Sequence, residues 1–144
     1  SQIDEVIVGC VIPAADEDFN RASTIKNSDV ILSVSSSMVL DAACFDIPTI
    51  NLAYDAGLTV VPWESVERFY RYTHALPVLE EHATWVVKDE PALVEALKIC
   101  LSHPEAKRAE RRKLLERVVG FTDGQTHVRF VNAIKGFVNQ TKSG

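Results

Sequence analysis

Three consecutive hydroxyls, Ser35-Ser36-Ser37, stand between a β-branched run, Asp29-Val30-Ile31-Leu32-Ser33-Val34, and a stretch of helical composition from Met38 to Phe45. A strand that delivers hydroxyls to a helix start makes an anion site. The first backbone N–H groups of the helix lack intrahelical partners, its dipole is positive there, and the hydroxyls can donate to phosphate oxygens. Asp41, about one turn further on, is placed to accept from a ribose hydroxyl of the same ligand. The alternative is structural, with Ser36 or Ser37 as an N-cap and Asp41 as an acid compensating the dipole. The residues alone leave both open. His74, set among Tyr70, Arg71 and Tyr72, is a second candidate: a neutral imidazole there can bind a phosphate or stabilise a leaving group, or simply pack on the aromatics. Asp123-Gly124, at the start of the last helical stretch, is either a further anion or ribose contact or a cap.

Other chemistries find no footing. His82, His103 and His127 have no clustered partner of ligand type, so no metal and no cofactor are expected. No G-x-G-x-x-G, G-x-x-x-x-G-K-[ST] or G-x-S-x-G occurs, which argues against a dinucleotide dehydrogenase, a P-loop NTPase and an α/β-hydrolase. A serine nucleophile within Ser35–Ser37 would lack the glycines of a nucleophile elbow. Cys10, Cys44 and Cys100 are an odd, widely spaced set with apolar neighbours, read as three reduced, buried thiols.

The elements that must position these residues follow from the pattern. Ile3 to Ile12 reads as extended, Ala14 to Asn20 as an acidic loop, and Arg21 to Asn27 as a short helix. Asp29–Val34 and Pro48-Thr49-Ile50-Asn51-Leu52-Ala53 have the length and composition of strands buried on both faces. With the Met38–Phe45 helix between them they form a compact βαβ unit, hence a parallel sheet with a right-handed crossover. Glu64–Tyr72 predicts a short helix carrying Arg68 and Arg71. Leu76–Leu79 and Thr84–Val87 predict short extended segments. Asp89 is a plausible N-cap with Pro91 in the first turn, and Leu93, Leu97 and Leu101 line one face of the helix that follows. Ser102-His103-Pro104 starts a basic helix ending near Gly120. Thr122-Asp123-Gly124-Gln125 has the form of a capping box, and Val128, Val131, Ile134 and Val138 give the last helix a buried stripe.

The whole chain has 144 residues, 47% hydrophobic and 24% charged, which fits one globular domain and excludes disorder. Nothing approaches the roughly 18 apolar residues of a membrane span, and the first residues carry no basic signal-peptide region. With no initiator Met, the reading is one domain from a longer, cytoplasmic protein. Charge is unevenly spread. Residues 1–106 hold 6 Lys/Arg against 17 Asp/Glu, and residues 107–144 hold 9 against 3. The basic excess sits in Lys107-Arg108 and Arg111-Arg112-Lys113 with Arg117. Glu105, Glu110 and Glu116 interleave with it and no aromatics alternate, so a solvated helix face with internal ion pairs is expected, and no nucleic acid.

From Ser28-Asp29-Val30-Ile31 through the serine turn, Asp41-Ala42-Ala43 and Ile47-Pro48-Thr49-Ile50, the chain resembles the C-terminal half of GT-B glycosyltransferases. It is most similar to those of surface-polysaccharide synthesis and to CDP-glycerol glycerophosphotransferases. Downstream, Thr73-His74, the Val86-Val87-Lys88-Asp89 segment, His103-Pro104-Glu105, Phe121-Thr122-Asp123-Gly124-Gln125 and Arg129 continue the likeness over roughly residues 25–140. Asp46-Ile47 replaces the family's usual Gly before Pro48, a change that Asp tolerates in left-handed geometry. The family's acid after the turn is more often Glu than Asp. The resemblance implies an α/β fold, a Rossmann-like parallel sheet flanked by helices that forms the C-terminal half of a GT-B enzyme. It implies donor contacts from Ser35, Ser36, Ser37, Asp41, Asp123 and Gly124, with His74 catalytic. The donor would be a nucleotide-sugar or CDP-glycerol, and an N-terminal domain of the same chain would supply the acceptor site and general base. An NDP-sugar 2-epimerase domain and a non-catalytic α/β interaction module with a degenerate nucleotide site are the alternatives. Peripheral contact with the inner face of the membrane and homodimerisation stay open.

Overall fold

β-branched runs favour strands, and where both faces are covered such strands pair in parallel. The computed structural model describes residues 7–8 and 21–142. It has a parallel sheet of β1 (Ile7–Val8), β2 (Ile31–Ser33), β3 (Thr49–Leu52) and β4 (Trp85–Val87), in that spatial order. Helix α1 (Arg21–Lys26) precedes β2, and α2 (Met38–Cys44) links β2 to β3 as the βαβ pattern requires. The β3–β4 connection holds a 3₁₀ turn, Val66–Arg71, and α3 (Leu76–Glu80). Three helices close the chain: α4 (Glu90–Ser102), α5 (Arg108–Val118) and α6 (Thr126–Lys142). The fold is therefore α/β and Rossmann-like, a small parallel sheet flanked by helices. Among the described residues no helix is long and apolar enough to cross a membrane. The expected extended stretch at Ile3–Ile12 is seen only at Ile7–Val8. Its remainder, the acidic loop and Cys10 lie outside the described residues.

Alternation along β2 and β3 divides the core into two sides. Leu32, Ile50 and Val87 face α4, where Ala96 and Cys100 are buried against them. Ile31 faces the opposite way, into Ile25 of α1 and Ala42 of α2. Further out on this second side, Val39 of α2, Ala83 and Leu114 of α5 close a third cluster with Val78 of α3. Strands laid down in sequence order with right-handed crossovers put α1, α2 and α3 on one face, and α4 covers the other.

Several local expectations change. Leu76–Leu79 is helical rather than extended, with Pro77 in the first turn, where its missing N–H costs no bond. The Glu64–Tyr72 helix forms as the 3₁₀ turn, capped by Ser65, whose Oγ accepts from Glu67 N. In α4 the Asp89 cap holds, Oδ1 accepting from Ala92 N at 2.8 Å. Its buried residues are Ala96 and Cys100; Leu93 and Leu97 pack beside them, and Leu101 is exposed. The basic helix begins only at Arg108, because Lys107 sits in left-handed geometry at φ +60°. Within the segment read as a capping box, Asp123 Oδ1 accepts from Gln125 N at 3.0 Å, forming a turn ahead of α6. The expected buried stripe of α6 is on the surface: Val128, Val131, Ile134 and Val138 are all exposed, as are Phe130 and Phe137. Cys44 is likewise exposed, whereas Cys100 is buried, and both are free thiols.

The basic run is not a uniformly solvated face either. Arg111 is 2% exposed. Its Nε and Nη2 both donate to Asp46 Oδ1, at 3.0 and 2.7 Å, while Nη1 donates to Ala106 O and Nη2 to Pro104 O. Arg108 joins the same carboxylate, and Arg117 reaches Glu80 and Glu81. The pairs thus tie α5 to other elements instead of running along the helix.

Burial alone would raise the pKa of Asp46, but the hydrogen bonds and charges of Arg111 and Arg108 outweigh it and hold the carboxyl below its ordinary value of 3.8. The stabilisation is present above the unfolded value and lost as pH falls through the folded one. Asp46→Asn keeps a side chain that accepts left-handed geometry but leaves a buried guanidinium without its counter-charge. With Asp46 partly exposed, the expected loss is about 2–4 kcal/mol. Urea unfolding at neutral pH should show this loss, and the acid-side decline of stability below about pH 4 should flatten in the variant. Thiol labelling gives a second check. Burial pushes Cys100 up to about 11, so native protein should label at Cys44 first and at Cys100 only on unfolding, as peptide mass mapping would show. A Cys100 that labels as fast as Cys44 would contradict this core.

Candidate functional site

At the carboxyl ends of β2 and β3 the chain leaves the sheet through two connections, and a cavity of about 210 Å³ opens between them. Open parallel sheets bind ligands at this end because the loops diverge there. The serine turn after β2 forms one side and His74, ahead of α3, another. Asn51 at the end of β3 lies at the floor, Tyr70 beside it, and Val118 of α5 closes the wall. Ser35, Ser36, Ser37 and His74 are therefore brought together, although more than thirty residues separate them in the chain.

The turn is built tightly. Ser35 has φ +40°, a left-handed geometry that disfavours a residue with a side chain. It is held from two directions. Its Oγ donates to Phe69 O at 3.2 Å, and its backbone N–H bonds the Tyr70 hydroxyl. Tyr70 in turn donates to Leu52 O at 2.7 Å. Burial pushes the Tyr70 phenol up to about 12, the Ser35 bond working against that rise, so it remains a donor at neutral pH. Ser36 Oγ accepts from Met38 N at 3.2 Å, and Val39 N and Leu40 N donate to Ser36 O and Ser37 O. The expectation of open helix-start donors is thus modified: N–H groups of Met38, Val39 and Leu40 are already engaged, and α2 has only seven residues. Ser37 is exposed and makes no side-chain capping bond, so its hydroxyl faces no competing demand from the helix.

His74 is exposed at the cavity mouth, its ring tilted 43° against Tyr72 with centroids 5.7 Å apart. The other sequence candidates do not line the cavity. Asp41 lies on α2 with its charge felt by Cys44, whose pKa is raised first by burial and then by that charge. Asp123 forms a surface cluster of its own. Arg129 binds it through both guanidinium nitrogens, one at 2.8 Å, and stacks over Phe121 at 3.9 Å. That bond, with a further one from Gln125 N, holds the carboxyl at about 2. Gly124, at φ +71°, serves the turn into α6.

Two residues of the site escape a sequence reading. Tyr70 looks like any aromatic in a short helix, yet it fixes the turn. Asn51 carries a legible signal: a polar amide between Ile50 and Leu52 in a buried strand must satisfy its groups inside the protein. Its Nδ2 donates to Thr84 Oγ1 at 3.0 Å, and among the described residues its Oδ1 has no hydrogen-bond partner. Among the described residues no lysine or arginine lines the cavity.

Comparison of the chain with protein-family models, with curated proteins and with solved structures gives no match in any of the three. A functional reading therefore rests on this chain's own residues.

The role of Tyr70 can be measured directly. Tyr70→Phe removes the hydroxyl shared by Leu52 O and Ser35 N and should cost about 1–3 kcal/mol. Amide exchange at Ser35 should speed up in the variant while the amides of α4, on the far face of the sheet, keep their protection relative to global stability.

Proposed function

We propose that this domain binds the nucleotide-phosphate portion of an activated donor, a nucleotide-sugar or CDP-glycerol, as the donor half of a GT-B-type transferase. The observation that carries the reading is the meeting of the serine turn and His74 at one cavity, at the carboxyl ends of β2 and β3. A phosphate at the mouth would accept from Ser37 Oγ and from an imidazole N–H of His74, both of which reach solvent. Charge-assisted bonds of this kind are about twice as strong as neutral ones. Asp41 and the Asp123–Gly124 turn would enter only through a ligand long enough to leave the cavity, and Asp123 would have to share its carboxylate with Arg129. On this reading the acceptor site and the general base belong to an N-terminal domain. A one-sided site leaves the phosphates in water, where each charged contact is weaker.

The test is titration of the 144-residue chain with UDP-, CDP- and GDP-linked donors by NMR, beside an assay for transfer. Binding should be weak, with a dissociation constant no tighter than about 0.1 mM, and no transfer should occur. Ser37→Ala should weaken binding by about 1–2 kcal/mol without changing stability, since that hydroxyl makes no capping bond. Ser36→Ala is the poorer probe because it also removes the Met38 N acceptor. Affinity unchanged in Ser37→Ala and His74→Gln would return the turn to a purely structural role.

A further inference from the structure

The cavity differs chemically between mouth and floor. The mouth carries exposed Ser37 and His74, whereas the floor is Asn51, 1% exposed, below walls that include Val39, Leu40, Val78 and Val118. The amide of Asn51 is half engaged, Nδ2 to Thr84 Oγ1 at 3.0 Å, and among the described residues Oδ1 has no partner. Ser33, paired with Asn51 in the β2–β3 register and 2% exposed, also has a side-chain oxygen without a partner among the described residues. A buried acceptor left unmet is costly, and a donor that arrived with a ligand would relieve that cost. With no lysine or arginine in the lining among the described residues, the floor is no place for a phosphate, whose charge would be desolvated without a counter-charge.

We propose that Asn51 is a specificity-determining residue: its Oδ1 accepts from an N–H of a neutral, flat group on the ligand, packed between the apolar walls. This inference rests on reading the cavity as a donor site. The group is the N–H of a pyrimidine base or the amide N–H of an acetamido sugar. A cavity of about 150 Å³ admits benzene, so about 210 Å³ holds a six-membered ring with its substituents. An unsubstituted hexose fits poorly, because its ring of hydroxyls would meet valine and leucine walls that offer no partners.

Ligand pairs that differ in the N–H provide the experiment. Native protein is titrated by NMR with UMP and 3-methyl-UMP, with CMP and its N4-dimethyl derivative, and with N-acetylglucosamine 1-phosphate and glucose 1-phosphate. The N–H-bearing member of a base pair or of the sugar pair should bind about tenfold tighter than its counterpart, and the pair that discriminates identifies the source. Asn51→Leu, combined with Thr84→Val so that no hydroxyl is orphaned in turn, should abolish the difference within the discriminating pair. The ligand pairs decide the matter even if that variant fails to fold. Ligands that bind with no preference in any pair would overturn the role of Asn51 and leave the donor site standing. Failure of every phosphate ligand to bind, pyrophosphate included, would overturn both.

Discussion

The seating of α5 depends on one buried cation. Arg111 has almost no contact with water, yet its guanidinium is met by the Asp46 carboxylate and by the carbonyls of Asp46, Pro104 and Ala106. Asp46 occupies the left-handed turn between α2 and β3 at φ +59°, so the bond joins the βαβ unit to the segment entering α5. A guanidinium out of water is tolerated only where its donors are met and its charge is answered. That requirement leaves α5 one position along the turn. Leu114, three residues on, then falls into the cluster with Val39 and Ala83. Val118, four further, falls on the same helix face and becomes a cavity wall. The shape of the site is thus set in part by an ion pair that does not touch it.

The strands and the first crossover were legible because period and composition agree there: Asp29–Val34 and Pro48–Ala53 admit no amphipathic helix, and the serines between them can only be a turn. Rotation of a side chain toward or away from solvent was less legible. Arg111 sits in a run of charges that reads as a wetted face, and nothing local separates it from Arg112 beside it. The periodicity of α6 predicts a buried stripe, and the structure leaves that stripe exposed at Val128, Val131, Ile134 and Val138, because periodicity reports a face and not what covers it. Leu76–Leu79 failed for a different reason. Four apolar residues around a proline fit a strand end or a helix first turn equally well, and the packing of Val78 against Leu114 and Val39 decides for the helix.

The candidate site divides in the same way. Ser35–Ser37 could be found from the chain because hydroxyls after a buried strand have few other uses. That His74 would join them depends on the fold of the irregular segment from Tyr54 to Ala75. There Tyr70, bonded to both Leu52 and Ser35, draws the 3₁₀ turn onto the sheet end. His74 follows four residues later at the mouth. A left-handed serine costs about 1–2 kcal/mol relative to a relaxed turn, and at Ser35 the bonds of its hydroxyl and its N–H offset that cost.

Part of the uneven charge along the chain is answered within the molecule. The acidic first part and the basic last part meet: Arg108 and Arg111 on Asp46, Arg117 on Glu80 and Glu81, and Lys107 on the carbonyl of His82. Cations that in the sequence look available for an anionic partner are instead fasteners between α5 and the elements beneath it. The consequence reaches the cavity, which lies beside α5 but receives none of its arginines. Any anion held there must be met by hydroxyls, an imidazole and backbone groups, whose contributions are short in range and depend on geometry. Such a site selects by shape and by hydrogen-bond pattern more than by net charge. On the proposed reading, an acceptor such as Asn51 Oδ1, which would matter little beside a cluster of arginines, would carry much of the discrimination.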